Sequence, residues 1–447
     1  MLPIVEIPAS IREGMKAYRD LFVRQAGFEH VCSYVTGLLI SPNKTLQGIH
    51  DLQRGKSGSV SSRAMHEAVF EAGWQAQELM PRHRQIVSKD YRDSKRAVIS
   101  LDWTLSHHEK GPEIYGVKKG FDYIEKRYGL FQTVVTATVS NQQYIDGVEV
   151  QVRAPGFLKA EEEYLKATQK AEYEHTEQAQ QRLLELLYYR EHQQQYKKLT
   201  EMCVEIVRQI EAEGHFPQAH YAFDNGVLHL ELIQLIEQAG KHWVSELECS
   251  RNVMWEGQWQ RIDEVAATLR TQHPESFRGY PVRTRAGVEK KIWASTKVLR
   301  LKKGYGRKRV VLLHETQDLS DKPRFLITDA LHWEPTKIME VWSYRWSSEV
   351  FHEFSKQHAG FEAAQVRKEE AVKRAFHLSC VAQSLLQRQH PASSTSEKFK
   401  FAKGQITMGQ KQRSILREIL GSLLSVAQSA FAGGASSQQV LDRLMPI

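Results

Sequence analysis

The chain of 447 residues is 41% hydrophobic and 26% charged, a globular composition of two or three domains that excludes a disordered or collagen-like chain. Its net charge of +8 and pI near 9.1 favour an anionic partner, most often nucleic acid, over a membrane surface. The absence of an 18-residue apolar window, of a signal-peptide start and of any C-x-x-C pair among Cys32, Cys203, Cys249 and Cys380 predicts an intracellular, cytoplasmic protein with no spanning helix, disulfide framework or zinc site.

Residues 1 to about 90 carry apolar residues at helical spacing, as in "IREGMKAYRDLF" and "FEHVCSYVTGLLI". A helical N-terminal domain over 1–94 is expected, either a DNA-binding head or a plain bundle. The pattern then changes. "RAVISLDWT" is a short apolar run ending in an acid, "FQTVVTATVS" is rich in β-branched residues, and "VEVQVRA" alternates. These predict three strands in succession, the first ending at Asp102.

From Phe157 to Glu213 there is neither Gly nor Pro. As one helix this stretch would span roughly 85 Å. Its nearly all-polar first half predicts a protruding helical arm over 158–198, and its second half carries Leu and Ile for a buried helix. "QAHYAFDNG" predicts a strand ending at Asp224, "VLHLELIQLIEQAG" a helix with Gly240 just past its end, and "KHWVSELE" a strand. This β-α-β order implies a parallel pair in a mixed sheet.

From Pro281 to Leu313 there are eleven Lys/Arg against one acid, Glu289. "KVLRLKKGYGRKRVVLL" predicts a hairpin turning at Gly304-Tyr305-Gly306, with Lys302, Lys303, Arg307, Lys308 and Arg309 around the turn as DNA-binding candidates. "RFLITDAL" is a further strand, and the remainder reads mostly as helix. In "WSYRWSSEVFHEFSK" the residues Trp342, Arg345, Glu349, His352 and Lys356 recur at steps of three and four. That spacing makes one stripe on a helix, polar where a core-facing stripe would be apolar.

Asp102 and Asp224, each expected at a strand end, and Glu349 on a helix form the candidate metal-binding and catalytic set. Phosphodiester cleavage by paired Mg²⁺ ions needs carboxylate oxygens on rigid elements. Singly, a strand-terminal Asp is a common turn former, and Asp224 before Asn225-Gly226 is a turn signal in its own right.

The spacing Trp342-x2-Arg345-x3-Glu349-x6-Lys356 resembles the Y-x2-R-x3-E-x6-K signature of cut-and-paste DDE transposases of bacterial insertion sequences, with Trp342 in place of the tyrosine. "ISLDWT" and "AFDNGV" resemble that family's two aspartate motifs, and the likeness runs over roughly residues 95 to 390. The resemblance implies an α/β fold with a ribonuclease-H-like core, a mixed sheet flanked by helices. Its segments would be 95–248, a basic β-strand insertion at 249–320, a last core strand with the glutamate-bearing helices at 321–395, and a helical tail at 396–447. It implies two Mg²⁺ ions, with Mn²⁺ able to substitute, held by Asp102, Asp224 and Glu349. Arg345, Lys356 and Trp342 would meet DNA. The partners would be the double-stranded transposon ends and target, gripped by a homodimer. An end hairpin would have a flipped base held by Trp255, Trp259 or Trp293. A transposase-derived DNA-binding protein without catalysis and a structure-specific nuclease are the alternatives.

Overall fold

The computed structural model describes residues 2–53, 61–111, 113–123, 125–154, 197–390 and 406–444, with 177, 178 and 181. The expected arm over 158–198 lies almost wholly outside the described residues.

A mixed sheet organises the described chain. Strands β1 (Val98–His108), β2 (Val117–Asp122), β3 (Arg127–Ser140) and β4 (Ile145–Val152) pair antiparallel around β3, which has β1 on one edge and β2 and β4 on the other. β5 (His220–Phe223) and β6 (Trp243–Glu246) are parallel to β1. The sheet then continues antiparallel through β12 (Arg324–Thr328), β11 (Gly306–His314) and β10 (Glu289–Leu301) to β7 (Asn252–Trp255) and β8 (Gln258–Arg261), with β9 (Arg278–Arg283) on the same edge of β10 as β7, opposite β11. The basic segment is therefore no separate lobe, because β11 pairs with β12 and carries it into the central sheet. It also holds a helix, Ile262–Gln272, which the expectation of strands alone missed.

Helices cover both faces. Leu199–Glu213, Leu230–Gln238 and Ile262–Gln272 bury Val207, Ile236 and Val265 against Ile99, Leu101, Tyr221 and Phe223. On the opposite face Pro335–Ser343 packs Ile338 and Met339 on Val98 and Ala222. Ser347–His358 and Glu369–Gln387 bring Phe351 and Phe376 to Val134 and Val150. Leu230–Gln238 ends as its glycine predicts, with Gly240 at φ +71.

The N-terminal helices do not stand apart as a head. Those at Ala9–Met15, Gln25–Ile40 and Ala76–Val87 share one apolar core with Leu378 and Val381 of Glu369–Gln387 and with Ile415 and Ile419 of Met408–Ala432. Met408–Ala432 is long and apolar enough, by length and composition alone, to cross a membrane, although no unbroken apolar run of 18 residues marks it in the sequence. Cys32, Cys203 and Cys380 are buried, and Cys249 is half-exposed.

Three polar links fasten these helices to β4. Arg84, with no exposed side-chain surface, reaches Glu149 Oε2 at 2.5 Å, Glu213 Oε1 at 2.6 Å and the carbonyl of Val148 at 2.8 Å. Asp146, equally buried, takes Arg388 at 2.8 Å and the Tyr91 hydroxyl at 2.7 Å. Burial pushes the Asp146 carboxyl up, but the charge and hydrogen bonds of Arg388 outweigh it and hold the group at about 2. His377 bridges the carbonyls of Ala76 and Val150 at 3.0 and 3.1 Å.

Removing Arg84 leaves two carboxylates without their cation in low dielectric. Arg84→Met is expected to lower the free energy of unfolding by about 3–5 kcal/mol, read as a lower denaturant midpoint at unchanged slope. A midpoint equal to that of the parent protein would show that the network does not hold β4.

Candidate active site

The parallel pairing of β1 with β5 ends at Leu101↔Phe223. The next residues along the two strands are Asp102 and Asp224, so the register sets the two acids side by side. Ile99, Leu101, Tyr221 and Phe223 point into one apolar layer. By alternation Ser100 and Asp102 face the other way, where the Ser100 hydroxyl donates to the Tyr344 carbonyl at 3.1 Å. Asp102 does not end its strand as expected: β1 runs on to His108, paired with β3 throughout. It is β5 that stops. Asp224 Oδ1 caps the turn that follows, accepting from Gly226 N at 3.0 Å and Val227 N at 3.1 Å. A Cβ on Gly226 would sit 3.1 Å from the Trp103 ring, so a glycine lets the indole lie against this turn.

Trp342 to Lys356 is not one helix. Pro335–Ser343 ends, Tyr344–Trp346 makes a 3₁₀ turn, and Ser347–His358 begins a new helix. The break rotates the expected stripe. His352 faces the sheet, its Nε2 2.8 Å from the Thr136 hydroxyl, and Thr136 is the strand partner of Asp102. Ser348 meets Thr138 at 3.2 Å, and Phe351 is fully buried. This face sets the helix over β3. Glu349 stands in its first turn, where the helix dipole favours a carboxylate.

Arg345 joins the acids. Its guanidinium lies 2.5 Å from Glu349 Oε1 and 3.8 Å from Asp102 Oδ2, and 5.3 Å from the Trp342 ring centre. Burial pushes the Asp102 carboxyl up to about 7. The negative charges of Asp224 and Glu349 act in the same direction, against the Trp103 N–H and the charge of Arg345. Lys356 donates to the Leu105 carbonyl at 2.7 Å and pairs with Glu362 at 2.7 Å.

Three carboxylates are a hard-oxygen donor set of the kind Mg²⁺ and Mn²⁺ prefer. Asp102 is the member that feels the charge of both other acids. Elsewhere among the described residues, His107, Asp122 and Glu125 offer ligand atoms within 4.8 Å of one another.

The basic hairpin turns over Lys302–Tyr305, with Gly306 already in β11. Its tip leans on the loop after Asp224, the Tyr305 hydroxyl 3.5 Å from the Leu228 carbonyl. A cleft of about 310 Å³ opens here between Glu248, Arg251, Asn252, Lys302, Lys303 and Tyr305. Two of the expected DNA contacts turn inward. Lys308 is buried, 2.8 Å from Glu237 and over the Trp243 ring. Arg309 is half-buried and donates to the Leu331 carbonyl at 2.8 Å. Lys302, Lys303 and Arg307 remain exposed. Arg300, which the sequence reading left out, is also exposed and sits directly opposite Arg307. Like charges at that spacing repel unless an anion lies between them.

Of the three tryptophans, Trp255 and Trp293 pack on the core, while Trp259 is 39% exposed with the Lys302 ammonium 5.0 Å from its ring centre. Trp346, 60% exposed beside Arg345, was missed. It stands four residues after Trp342 and three before Glu349, at the end of the 3₁₀ turn Tyr344–Trp346.

No protein-family model and no curated protein matches the chain. Among solved structures it is similar to a piggyBac transposase synaptic complex with hairpin DNA, at 10% identity and a TM-score of 0.36. The match covers 77% of this chain and 56% of that one, so the chain spans little more than half its length.

Burial, reinforced by the charge of Lys356, lowers the His352 imidazole to about 3 from its ordinary 6.5. An unfolded chain takes up a proton there below about pH 6.5 that the folded chain refuses, so this group costs stability as pH falls from about 6.5 towards 3. His352→Gln, able to keep the bond to Thr136, is expected to remove up to one proton of that dependence, ~1.4 kcal/mol per pH unit. Denaturant titrations above and below pH 6.5 read this, and identical pH slopes in the two proteins would refute it.

Proposed function

We propose that the chain is a DDE-type DNA transposase. In this reading it is a Mg²⁺-dependent endonuclease and strand transferase acting on the ends of an insertion sequence, through a ribonuclease-H-like core. The observation that carries the reading is the parallel register at Leu101↔Phe223, which brings Asp102 beside Asp224 while Arg345 ties Glu349 to Asp102. The strand order β4-β3-β1-β5-β6, three antiparallel strands followed by two parallel ones, supports the core assignment.

Asp102, Asp224 and Glu349 would hold the divalent ions. These supply a lowered water pKa and charge stabilisation at the attacking and leaving oxygens. The chain's own residues do the rest. Asp102 must be ionised to bind, so its raised value makes occupancy depend on pH near neutrality. The Arg345 guanidinium, which pairs with Glu349 and lies over the Trp342 ring, would take a phosphate oxygen beside the acids. Lys356, fixed by Leu105 and Glu362, lends a point charge further along the strand. Arg300, Lys303 and Arg307 would track the DNA backbone, and Trp259 is the aromatic available to stack on a flipped base at a hairpin end. A homodimer holding two ends belongs to the same reading.

Asp102→Asn, Asp224→Asn and Glu349→Gln are each expected to reduce Mg²⁺-dependent nicking of end DNA by at least about a thousandfold while leaving DNA affinity within a few-fold. Near-parental cleavage by Glu349→Gln would remove that helix from the site. Arg300→Ala with Arg307→Ala should lower the slope of log affinity against log salt by up to about two units. Lys308→Ala should leave that slope unchanged and lower stability instead.

A further inference from the structure

The hairpin of β2 and β3 takes no part in the site above, yet it runs out from the same end of β1. β3 pairs with β1 from Thr136, opposite Asp102, to Leu130, opposite His108, and then continues with β2 alone towards Tyr123, Glu125 and Lys126. From Thr136 to Tyr128 is 136 − 128 = 8 residues, ~26 Å of strand. Three exposed aromatic rings crowd its outer end: Phe121, Tyr123 at 83% and Tyr128 at 72% exposure. Phe121 and Tyr128 are register partners. The Phe121 ring centre lies 5.1 Å from Tyr123 and 5.2 Å from Tyr128, both at steep angles. The two tyrosine rings therefore keep open faces.

The base of the hairpin is fastened. Asp122 is buried, 2.7 Å from His107 Nε2, and its other oxygen accepts from Glu125 N at 3.2 Å. Lys118 lies over the Phe131 ring. The outward charge is positive: Glu125 is taken by Arg127 at 2.5 Å, whereas exposed Lys119 and Lys126 make no ion pair among the described residues. Lys126 also holds a left-handed backbone, φ +54, which a lysine rarely adopts.

We propose that this hairpin is a second DNA contact, resting on the reading that the chain acts on DNA. Unpaired or unstacked bases lie on the open faces of Tyr123 and Tyr128, and phosphates on Lys119 and Lys126. Aromatic rings interleaved with cations are the make-up of a stacking platform for single-stranded nucleic acid, whereas protein interfaces are depleted in lysine. A base presents its face to a ring only once its own stack is opened, so a perfect duplex is the poorer ligand.

The test uses the full chain with a labelled oligothymidine strand, a paired duplex, and the same duplex with a central mismatch bubble, titrated over a range of salt. Tyr123→Ser with Tyr128→Ser is expected to weaken binding of the strand and the bubble by about tenfold or more. Paired-duplex affinity should stay within about twofold, with the salt slope unchanged. Tyr123→Phe with Tyr128→Phe, which keeps both rings, should bind like the parent. Lys119→Gln with Lys126→Gln should lower the single-strand salt slope by about 1.4. Unchanged strand and bubble affinity in the serine variant, equal losses on all three DNAs, or a loss shared by the phenylalanine variant would each overturn the proposal. So would a changed oligomeric state with DNA binding intact. A serine variant that binds and nicks like the parent removes this contact alone; a parent chain that binds none of the three DNAs removes the transposase reading with it.

Discussion

Four residues of β1 lying parallel to four residues of β5 are the constraint on which the rest depends. A parallel pair cannot be closed by a tight turn, and here the chain between the two strands includes β2, β3, β4 and the helix Leu199–Glu213. All of that must find its place before Asp102 and Asp224 meet. The third acid comes from later still, after the basic strands have joined the sheet through β11 and β12. The site is thus assembled from distant parts by the completed fold, and no local segment contains it.

The same constraint explains the buried charge around β4. This strand lies on the far side of β3 from β1, and the N-terminal and C-terminal helices meet on it. Apolar packing alone lets such layers slide. The Arg84 network and the Arg388–Asp146 pair fix the register of helix on strand. Buried ions are often no more stabilising than apolar replacements, and specificity of packing is the better account of them. Helices rich in basic residues at the N-terminus look in sequence like an independent head; here they are mortared onto β4 and share a core with Glu369–Gln387.

Much of this was legible in the sequence. "FQTVVTATVS" is β-branched because β3 is buried on both sides, and Gly240 ends its helix because the left-handed backbone there suits no other residue as well. The hairpin at Lys302–Tyr305 was visible from its glycines. What stayed hidden had weak local signals. β2 and the outer half of β1, "VKKGFD" and "TLSHH", are polar because they project beyond the core, so they read as loop. The 3₁₀ break at Tyr344–Trp346 carries no Gly or Pro to announce it, and the position of His352 turns on that break. Lys308 and Arg307 are indistinguishable as letters. Only strand register, with its alternation of faces, sends one to Glu237 and the other to solvent.

The uneven burial of the cysteines has a practical side. Burial raises the Cys32 and Cys203 thiols to about 12 and lifts Cys380 well above its ordinary range, so in the native state these three are inert to alkylating dyes. Cys249 alone is half-exposed, in the link between β6 and β7 where the basic strands leave the core. A thiol-reactive fluorophore would therefore settle at one defined position without prior mutagenesis. That position lies next to the cleft under the basic hairpin, and its emission would follow that hairpin in real time.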